Sequence, residues 1–183
     1  MDHWIHRTQP ISRLLTEVVV RAYIAKPAGL RIFGMVEEPC GRTRSTGETE
    51  RLAFWNCVAF SNFIQDLLVD RSSEHRPTAQ QWSEARSAFL DLLDALRPDA
   101  VLVLGAGIWM SLSTRHFLNS EPVPSAMKSD GSQPFLYEWT MPAGYKVLAT
   151  WVNHPTGSRG FQPGKWTPRV SVLLEAASNQ SEA

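Results

Sequence analysis

Apolar residues recur at three- and four-residue spacing in several stretches of the chain, which is the period of an amphipathic helix. This spacing predicts helices over 11–25, 78–96, 108–117 and from Thr167 onward, with 178–183 as a frayed tail. The side chains expected to face inward are Leu14, Leu15, Val18, Val19 and Ala22 in the first helix, Trp82, Ala85, Phe89, Leu92, Leu93 and Leu96 in the second, and Val170, Leu173, Leu174 and Ala177 in the last. Thr78 and Gln81 form a capping box, which marks the start of the second helix.

Continuous apolar or β-rich runs between these helices predict strands. The strands are expected over 54–63, 100–104, 135–140 and 145–152, with loops over 39–50 and 119–133 and a turn at 142–144. The stretch 30–36 fits either a short helix or a strand. Since helix, strand and helix alternate over 78–117, the fold class predicted is α/β, a single domain over 1–183 with a mostly parallel sheet.

Composition places the chain among ordinary globular proteins with no strong electrostatic bias. Its 183 residues are 43% hydrophobic and 20% charged, and 18 basic residues balance 18 acidic ones. A neutral chain has no global field that would attract nucleic acid, so any DNA contact has to come from a local patch. No apolar run approaches the roughly 20 residues of a membrane span, and the N-terminus lacks the pattern of a signal peptide. We therefore expect a cytoplasmic protein without membrane contact.

The two cysteines, Cys40 and Cys57, form neither a disulfide framework nor a metal-ligand spacing. The histidines at 3, 6, 75 and 116 also show no ligand spacing with one another or with the cysteines. The sequence therefore predicts reduced thiols and no metal site.

The segment with the clearest chemistry follows the predicted strand over 145–152. It places His154 directly before Pro155, Thr156, Gly157, Ser158 and Arg159. Small residues let backbone amides converge on a phosphate, a hydroxyl and Arg159 add donors, and an imidazole can donate a hydrogen bond to a developing anion. The alternative interpretation is a turn that merely caps the sheet.

Three further positions allow a functional and a structural interpretation. Asn62, near the end of the predicted strand over 54–63, offers the donor and acceptor that read a base edge, or it satisfies local backbone. The Gly105-Ala106-Gly107 stretch is a weak dinucleotide motif, since Met110 stands where the third glycine belongs, and a tight turn explains it better. Glu37 and Glu38 orient a water if 30–36 is a strand, and form a solvated turn if it is a helix.

The order of these motifs resembles that of the uracil-DNA glycosylase-like superfamily over residues 52–175. The resemblance depends on Phe54-Trp-Asn-Cys-Val-Ala-Phe-Ser-Asn62, on Arg97-Pro-Asp-Ala-Val-Leu-Val-Leu-Gly105, and on His154-Pro-Thr-Gly-Ser-Arg159 followed by a helix. It is similar to a poorly described bacterial branch of the superfamily. It implies a three-layer α/β/α sandwich around a parallel sheet of about four strands.

The resemblance also implies an activity, namely hydrolysis of the N-glycosidic bond of a deaminated base flipped out of DNA, without metal or cofactor. Asn62 would bind the base edge and His154 would stabilise the negative charge on the leaving base. Pro155, Thr156, Gly157, Ser158 and Arg159 would hold the phosphate backbone, with Phe161 near the duplex. The partner is then DNA that contains a damaged or deaminated base.

The chain departs from the family at the first motif, which positions the attacking water. Residues 33–39 are a degenerate candidate for it, and otherwise the motif would lie before Met1. Two alternatives follow: a binding module that keeps the base pocket but hydrolyses nothing, and an α/β enzyme that uses a nucleotide near Gly105.

Overall fold

The computed structural model describes residues 10–26, 31–42, 47–64, 77–112, 118–124, 136–155 and 161–181. These residues form an α/β structure with six α-helices and one four-stranded sheet. In chain order the elements are α1 (Pro10–Ala25), α2 (Arg31–Glu37), a 3₁₀ helix (Glu38–Cys40), α3 (Glu48–Asn56), α4 (Ala79–Leu96), β1 (Ala100–Leu104), α5 (Ala106–Leu112), β2 (Asn119–Pro122), β3 (Tyr137–Thr140), β4 (Lys146–Val152), a second 3₁₀ helix (Pro163–Lys165) and α6 (Thr167–Ser181).

The chain divides into two compact units, and neither is continuous in sequence. The first unit comprises Met1–Leu30 and Thr46–Leu96, and the second comprises Arg31–Ser45 and Arg97–Ala183. The whole sheet lies in the second unit. The single domain over 1–183 stays a prediction.

In the first unit, the strand expected over 54–63 is absent, because α3 extends to Asn56 and irregular backbone follows it, so that prediction is wrong. Glu48 and Glu50 lie in the first turn of α3, where the helix dipole favours negative charge. Arg51 and Trp55 lie one turn apart on this helix, and both are buried. The Arg51 guanidinium donates two hydrogen bonds to the Ile24 backbone carbonyl, at 3.0 and 2.8 Å. The Trp55 indole contacts the Tyr23 ring edge-on. Tertiary packing against α1 thus overrides the β propensity of the aromatic residues.

The inward face of α1 also differs from the prediction. Tyr23 and Ile24 are buried, whereas Val18 is 58% exposed and Ala22 is exposed as well. The helix itself is confirmed, but the side that packs against α3 is centred one residue further along the helix than the spacing indicated.

The capping box of α4 is confirmed. The Thr78 amide donates to the Gln81 side-chain oxygen at 2.9 Å, and the Gln81 amide donates to the Thr78 hydroxyl at 3.2 Å. Ala85 and Leu93 are the buried centre of the predicted stripe, while Leu96 at its end is exposed. The helix begins at Ala79, where the box places it.

The sheet has the strand order β1-β4-β3-β2. Only β1 and β4 are parallel, because β3 pairs antiparallel with both β4 and β2. The prediction of a mostly parallel sheet is therefore wrong. There are two physical reasons. The tight turn at Pro142–Gly144 is too short for anything but a hairpin between β3 and β4, and the segment expected to be a loop contains a further strand, β2.

Helices pack on both faces of this sheet. On one face, Leu173 and Ala177 of α6 pack with Leu148 of β4 and Leu136. On the other, Trp109 of α5 stacks on Trp139 of β3 at 5.4 Å. Strand β1 is half-buried except for Val103, as befits a strand at the edge of the sheet.

Helix α6 confirms the predicted start at Thr167 but differs at two points. It continues to Ser181, through most of the tail that was expected to fray. Leu174, expected to face inward, is 41% exposed, whereas Val170, Leu173 and Ala177 are buried as predicted. None of the helices in the described ranges is both long and apolar enough to cross a membrane.

Candidate functional site

The two parallel strands end side by side at the candidate site. The Gly105 amide, just after β1, donates to the Val152 carbonyl at the end of β4, at 2.8 Å. Gly105 has a φ of +126°, and a Cβ placed on it would lie 3.8 Å from the Cβ of His154. The tight turn predicted at Gly105 is confirmed, and this turn lies against His154.

The imidazole of His154 is half-buried beside this turn, and the following Pro155 is buried. Burial lowers the pKa of His154 from the ordinary value of 6.5. At neutral pH the ring is therefore uncharged, with one nitrogen that donates a hydrogen bond and one that accepts. Such a ring can polarise a carbonyl without adding a full positive charge.

Arg169, in the first turn of α6, anchors the end of β4 three residues before His154. Its guanidinium donates to the Trp151 carbonyl at 3.3 Å and lies over the Trp151 ring at 5.1 Å and the Trp166 ring at 5.7 Å. Burial lowers the pKa of Arg169, with the charge interaction of Tyr137 acting in the opposite direction. An arginine nevertheless stays charged at neutral pH.

Arg169 was not predicted from the sequence, although the sequence carries a signal for it. A cation in the first turn of a helix is opposed by the helix dipole, so another interaction has to favour it. Here that interaction is the strand carbonyl together with the two indole rings.

Three aromatic side chains, one in β4 and two after it, contact one another near Arg169. The rings of Trp151 and Trp166 are 5.9 Å apart, and Phe161 stacks nearly parallel to Trp166, with centroids 6.4 Å apart and an angle of 14°. We call Trp151, Phe161, Trp166 and Arg169 the aromatic cluster. All four side chains are only half-buried.

Asn62 lies elsewhere in the fold from its predicted position. It is exposed in the irregular segment that follows α3, where its backbone carbonyl accepts a hydrogen bond from the Ser61 hydroxyl. The prediction that it ends a strand is therefore wrong. It belongs to the first unit, whereas Gly105, His154 and the aromatic cluster belong to the second.

The predicted phosphate loop is described only at its start. Pro155 is the last described residue before it, and Thr156, Gly157, Ser158 and Arg159 lie outside the described residues. Their role in binding phosphate stays a prediction.

The carboxylates at the end of α2 differ from both sequence-based expectations. The segment is a helix, so it supplies no strand end, yet Glu37 is only 3% exposed and is not part of a solvated turn. Nearby, burial raises the pKa of Cys40 to about 11, reinforced by the charge of Glu37 and opposed by that of Arg42. The Cys40 thiol is thus protonated at neutral pH and is a poor nucleophile.

Across the described ranges, no group of three His, Cys, Asp or Glu side chains is placed to hold a metal ion. Comparison of the chain with protein-family models, with curated proteins and with solved structures found no match to any of them.

Proposed function

We propose that this protein is a DNA glycosylase-like hydrolase that cleaves the N-glycosidic bond of a flipped, deaminated base such as uracil. The observation that carries the proposal is the position of His154 at the carboxyl ends of the parallel strands β1 and β4, packed beside the Gly105 turn. Ligands of open α/β sheets bind at this edge. The motifs that resemble the glycosylase superfamily predict the same histidine from the sequence alone.

The proposed chemistry uses the neutral imidazole as a hydrogen-bond donor. As the bond between the sugar and the base lengthens, its electron pair moves onto the base, and the N–H of His154 donates to the oxygen that becomes negative. Water adds to the sugar carbon, and the proton it loses neutralises the departing base. The role of Asn62 in recognising the base edge stays a prediction from the resemblance, as does that of Pro155, Thr156, Gly157, Ser158 and Arg159 in holding the phosphates.

The finer fold assignment is part of the same proposal. Helices α5 and α6 on opposite faces of the sheet agree with a three-layer α/β/α sandwich of the uracil-DNA glycosylase type. The two antiparallel pairings depart from the parallel sheet of that family. We place the likeness in the β1, β4 and His154 region rather than in the whole sheet.

The test is release of uracil, hypoxanthine or xanthine from end-labelled oligonucleotides, as single strands and as duplexes. The native chain should release at least one of these bases, and His154→Ala and Asn62→Ala should each lose most of that activity. Asn179→Ala, an exposed asparagine on α6, is the matched control and should leave release unchanged. Release that survives the change at His154 would exclude the proposed mechanism.

A second candidate function is a binding module that recognises DNA or a nucleobase without hydrolysis. The observation that favours it is α2, because a helix at 31–37 leaves no carboxylate at a strand end in the degenerate first motif. This candidate predicts that the native chain retards an oligonucleotide in a gel and releases no base from it. Base release by the native chain would eliminate it.

A further inference from the structure

We propose that the aromatic cluster is a binding surface for the unpaired bases of single-stranded DNA. This inference deepens the proposed function, because it assigns the strand state of the substrate. Three properties of the cluster support it: its rings are only partly buried, the sequence around them is basic, and Trp151 lies three residues before His154.

The exposure of the rings separates this cluster from the other group of tryptophans in the second unit. Trp139 and Trp109 stack on each other at the face of the sheet covered by α5 and are 0% and 7% exposed. The rings of Trp151, Phe161 and Trp166 contact one another as well, but each is only partly buried. The first group fills the core, whereas the second presents ring surface to solvent.

The stretch of sequence that carries the cluster is positively charged in an otherwise neutral chain. The 3₁₀ helix Glu38–Cys40 packs against this stretch and brings one carboxylate, that of Glu38, near to it. Residues 147–174 contain Arg159, Lys165 and Arg169 and no aspartate or glutamate, although the whole chain carries 18 acidic and 18 basic residues. Lys165 is exposed and directly precedes Trp166, and Arg169 lies over two of the rings. This is the local patch that DNA contact requires of a protein without net charge.

Aromatic rings beside cations are the chemistry by which proteins hold single strands. Bases stack on the rings in a sequence-tolerant way, while lysine and arginine contact the backbone phosphates. In a duplex the base faces are already stacked on one another, so the rings have no partner there. The cluster therefore favours a single strand, or a locally open duplex, over paired DNA.

The position of the cluster connects it to the candidate site. Trp151 lies within β4, three residues before His154, and Phe161 and Trp166 follow the segment that begins at His154. A strand bound at Trp151 would therefore run close to His154. The surface would thus hold the strand while a base is at the imidazole.

The experiment measures binding of a fluorescein-labelled single-stranded oligonucleotide, and of the same sequence as a duplex, by anisotropy. The native chain should bind the single strand more tightly, and Trp166→Leu and Phe161→Leu should each weaken that binding roughly 5- to 150-fold with little change for the duplex. Two separate variants are used so that a folding defect in one of them does not decide the result. Circular dichroism verifies the fold of each variant.

The matched control is Tyr145→Leu. Tyr145 is a half-buried aromatic residue that also lies against an arginine, with the Arg97 guanidinium 5.3 Å from its ring, but it precedes β4 instead of following it. This variant should bind the single strand as the native chain does. Equal losses from Tyr145→Leu and Trp166→Leu would overturn the proposal, as would tighter binding of the duplex or the absence of single-strand binding by the native chain.

Binding and base release can fail independently. Ring-dependent binding of an undamaged single strand without release of any base would retain the binding surface and remove the proposed hydrolysis. If a base is released from single-stranded substrate at the same rate by the native chain, Trp166→Leu and Phe161→Leu, the proposed hydrolysis stands and the proposed binding surface is wrong.

Discussion

Gly105 combines two constraints in one residue: its backbone conformation and its closeness to His154. A φ of +126° is strained for any residue with a Cβ, at a cost of about 1–3 kcal/mol. The added methyl group would meet the His154 Cβ at 3.8 Å, which is ordinary contact, so the cost comes from the backbone and not from a clash.

We therefore expect Gly105→Ala to lower the free energy of unfolding by about 1–3 kcal/mol in urea denaturation. Gly107→Ala is the control, because Gly107 lies within α5 and a Cβ there would meet nothing within 4 Å. Alanine is the better helix former, so this change should stabilise the protein by up to about 1 kcal/mol. Similar effects of the two substitutions would show that the conformation at Gly105 is not constrained.

The lowered pKa of His154 makes the stability of the protein depend on pH. The unfolded chain binds a proton at this residue near pH 6.5, whereas the folded protein binds it only at lower pH. Between these two pH values the unfolded state holds more protons than the folded state. The contribution of His154 to stability is therefore complete above pH 6.5 and is lost as the pH falls through the pKa of the folded protein.

The measurement is the melting temperature of the native chain and of His154→Gln between about pH 8 and pH 5. The native chain should lose more stability than the variant on acidification, since glutamine does not titrate. Parallel curves for the two proteins would contradict the assigned direction of the pKa shift.

At the scale of single residues, the sequence predicted those positions whose chemistry depends on neighbours in the chain. Gly105 and His154 each follow an apolar run that ends a strand, and a short local pattern is enough to identify such a position. Asn62 was placed at a strand end on the same logic, and that placement is wrong, because the run before it begins in α3 and continues as irregular backbone. Arg169 was missed because its partners, Trp151 and Trp166, are brought to it by the fold.

Among the elements, α6 tests how finely a helical period can assign burial. Leu173 and Leu174 are neighbours of the same type, both predicted to face inward, yet one is 2% exposed and the other 41%. Leu173 packs with Leu136 and Leu148 against the sheet, so removing its side chain leaves a cavity there.

Leu173→Ala should lower the free energy of unfolding by about 2–5 kcal/mol, from lost burial and the cavity together. Leu174→Ala should change it by less than about 0.5 kcal/mol, as is usual at exposed positions. Chemical denaturation of the two variants compares them directly. If both variants lose the same free energy of unfolding, α6 packs on the sheet through a face centred between Leu173 and Leu174.

The contrast between α4 and α3 shows why some elements could be predicted and others could not. The start of α4 is encoded within four residues, where the side chains of Thr78 and Gln81 bond to each other's backbone amides. No such local signal specifies α3. Its buried residues, Arg51 and Trp55, become a helical face only in contact with α1, and contacts between distant segments are not visible in a local pattern.

For the whole molecule, the sequence predicted the class of the fold but not the topology of the sheet. Helix, strand and helix over 79–112 follow the α/β pattern, and β1 pairs parallel with β4 as that pattern requires. The direction of β3 depends on the short turn at 142–144, and β2 lies in a polar segment without apolar alternation. Pairing with β3 creates β2, so only the assembled sheet reveals it.

Charge distribution over the whole molecule gives a last prediction, which depends on the proposed single-strand binding. A protein of zero net charge should bind DNA through a few cations, here Lys165 and Arg169 together with Arg159 of the predicted phosphate loop. Each phosphate that is neutralised on a single strand contributes about 0.7 to the slope of log affinity against log salt, so three cations predict a slope near −2.

Lys165→Gln should reduce that slope in magnitude by about 0.7, measured by anisotropy between roughly 50 and 200 mM salt. Lys146→Gln is the matched control, because Lys146 lies at the amino end of β4 and forms an ion pair with Glu138 at 2.6 Å. It should leave the slope unchanged. A slope well beyond −2, or an equal effect of both substitutions, would show that DNA contacts cations over a wider surface than the patch next to the aromatic cluster.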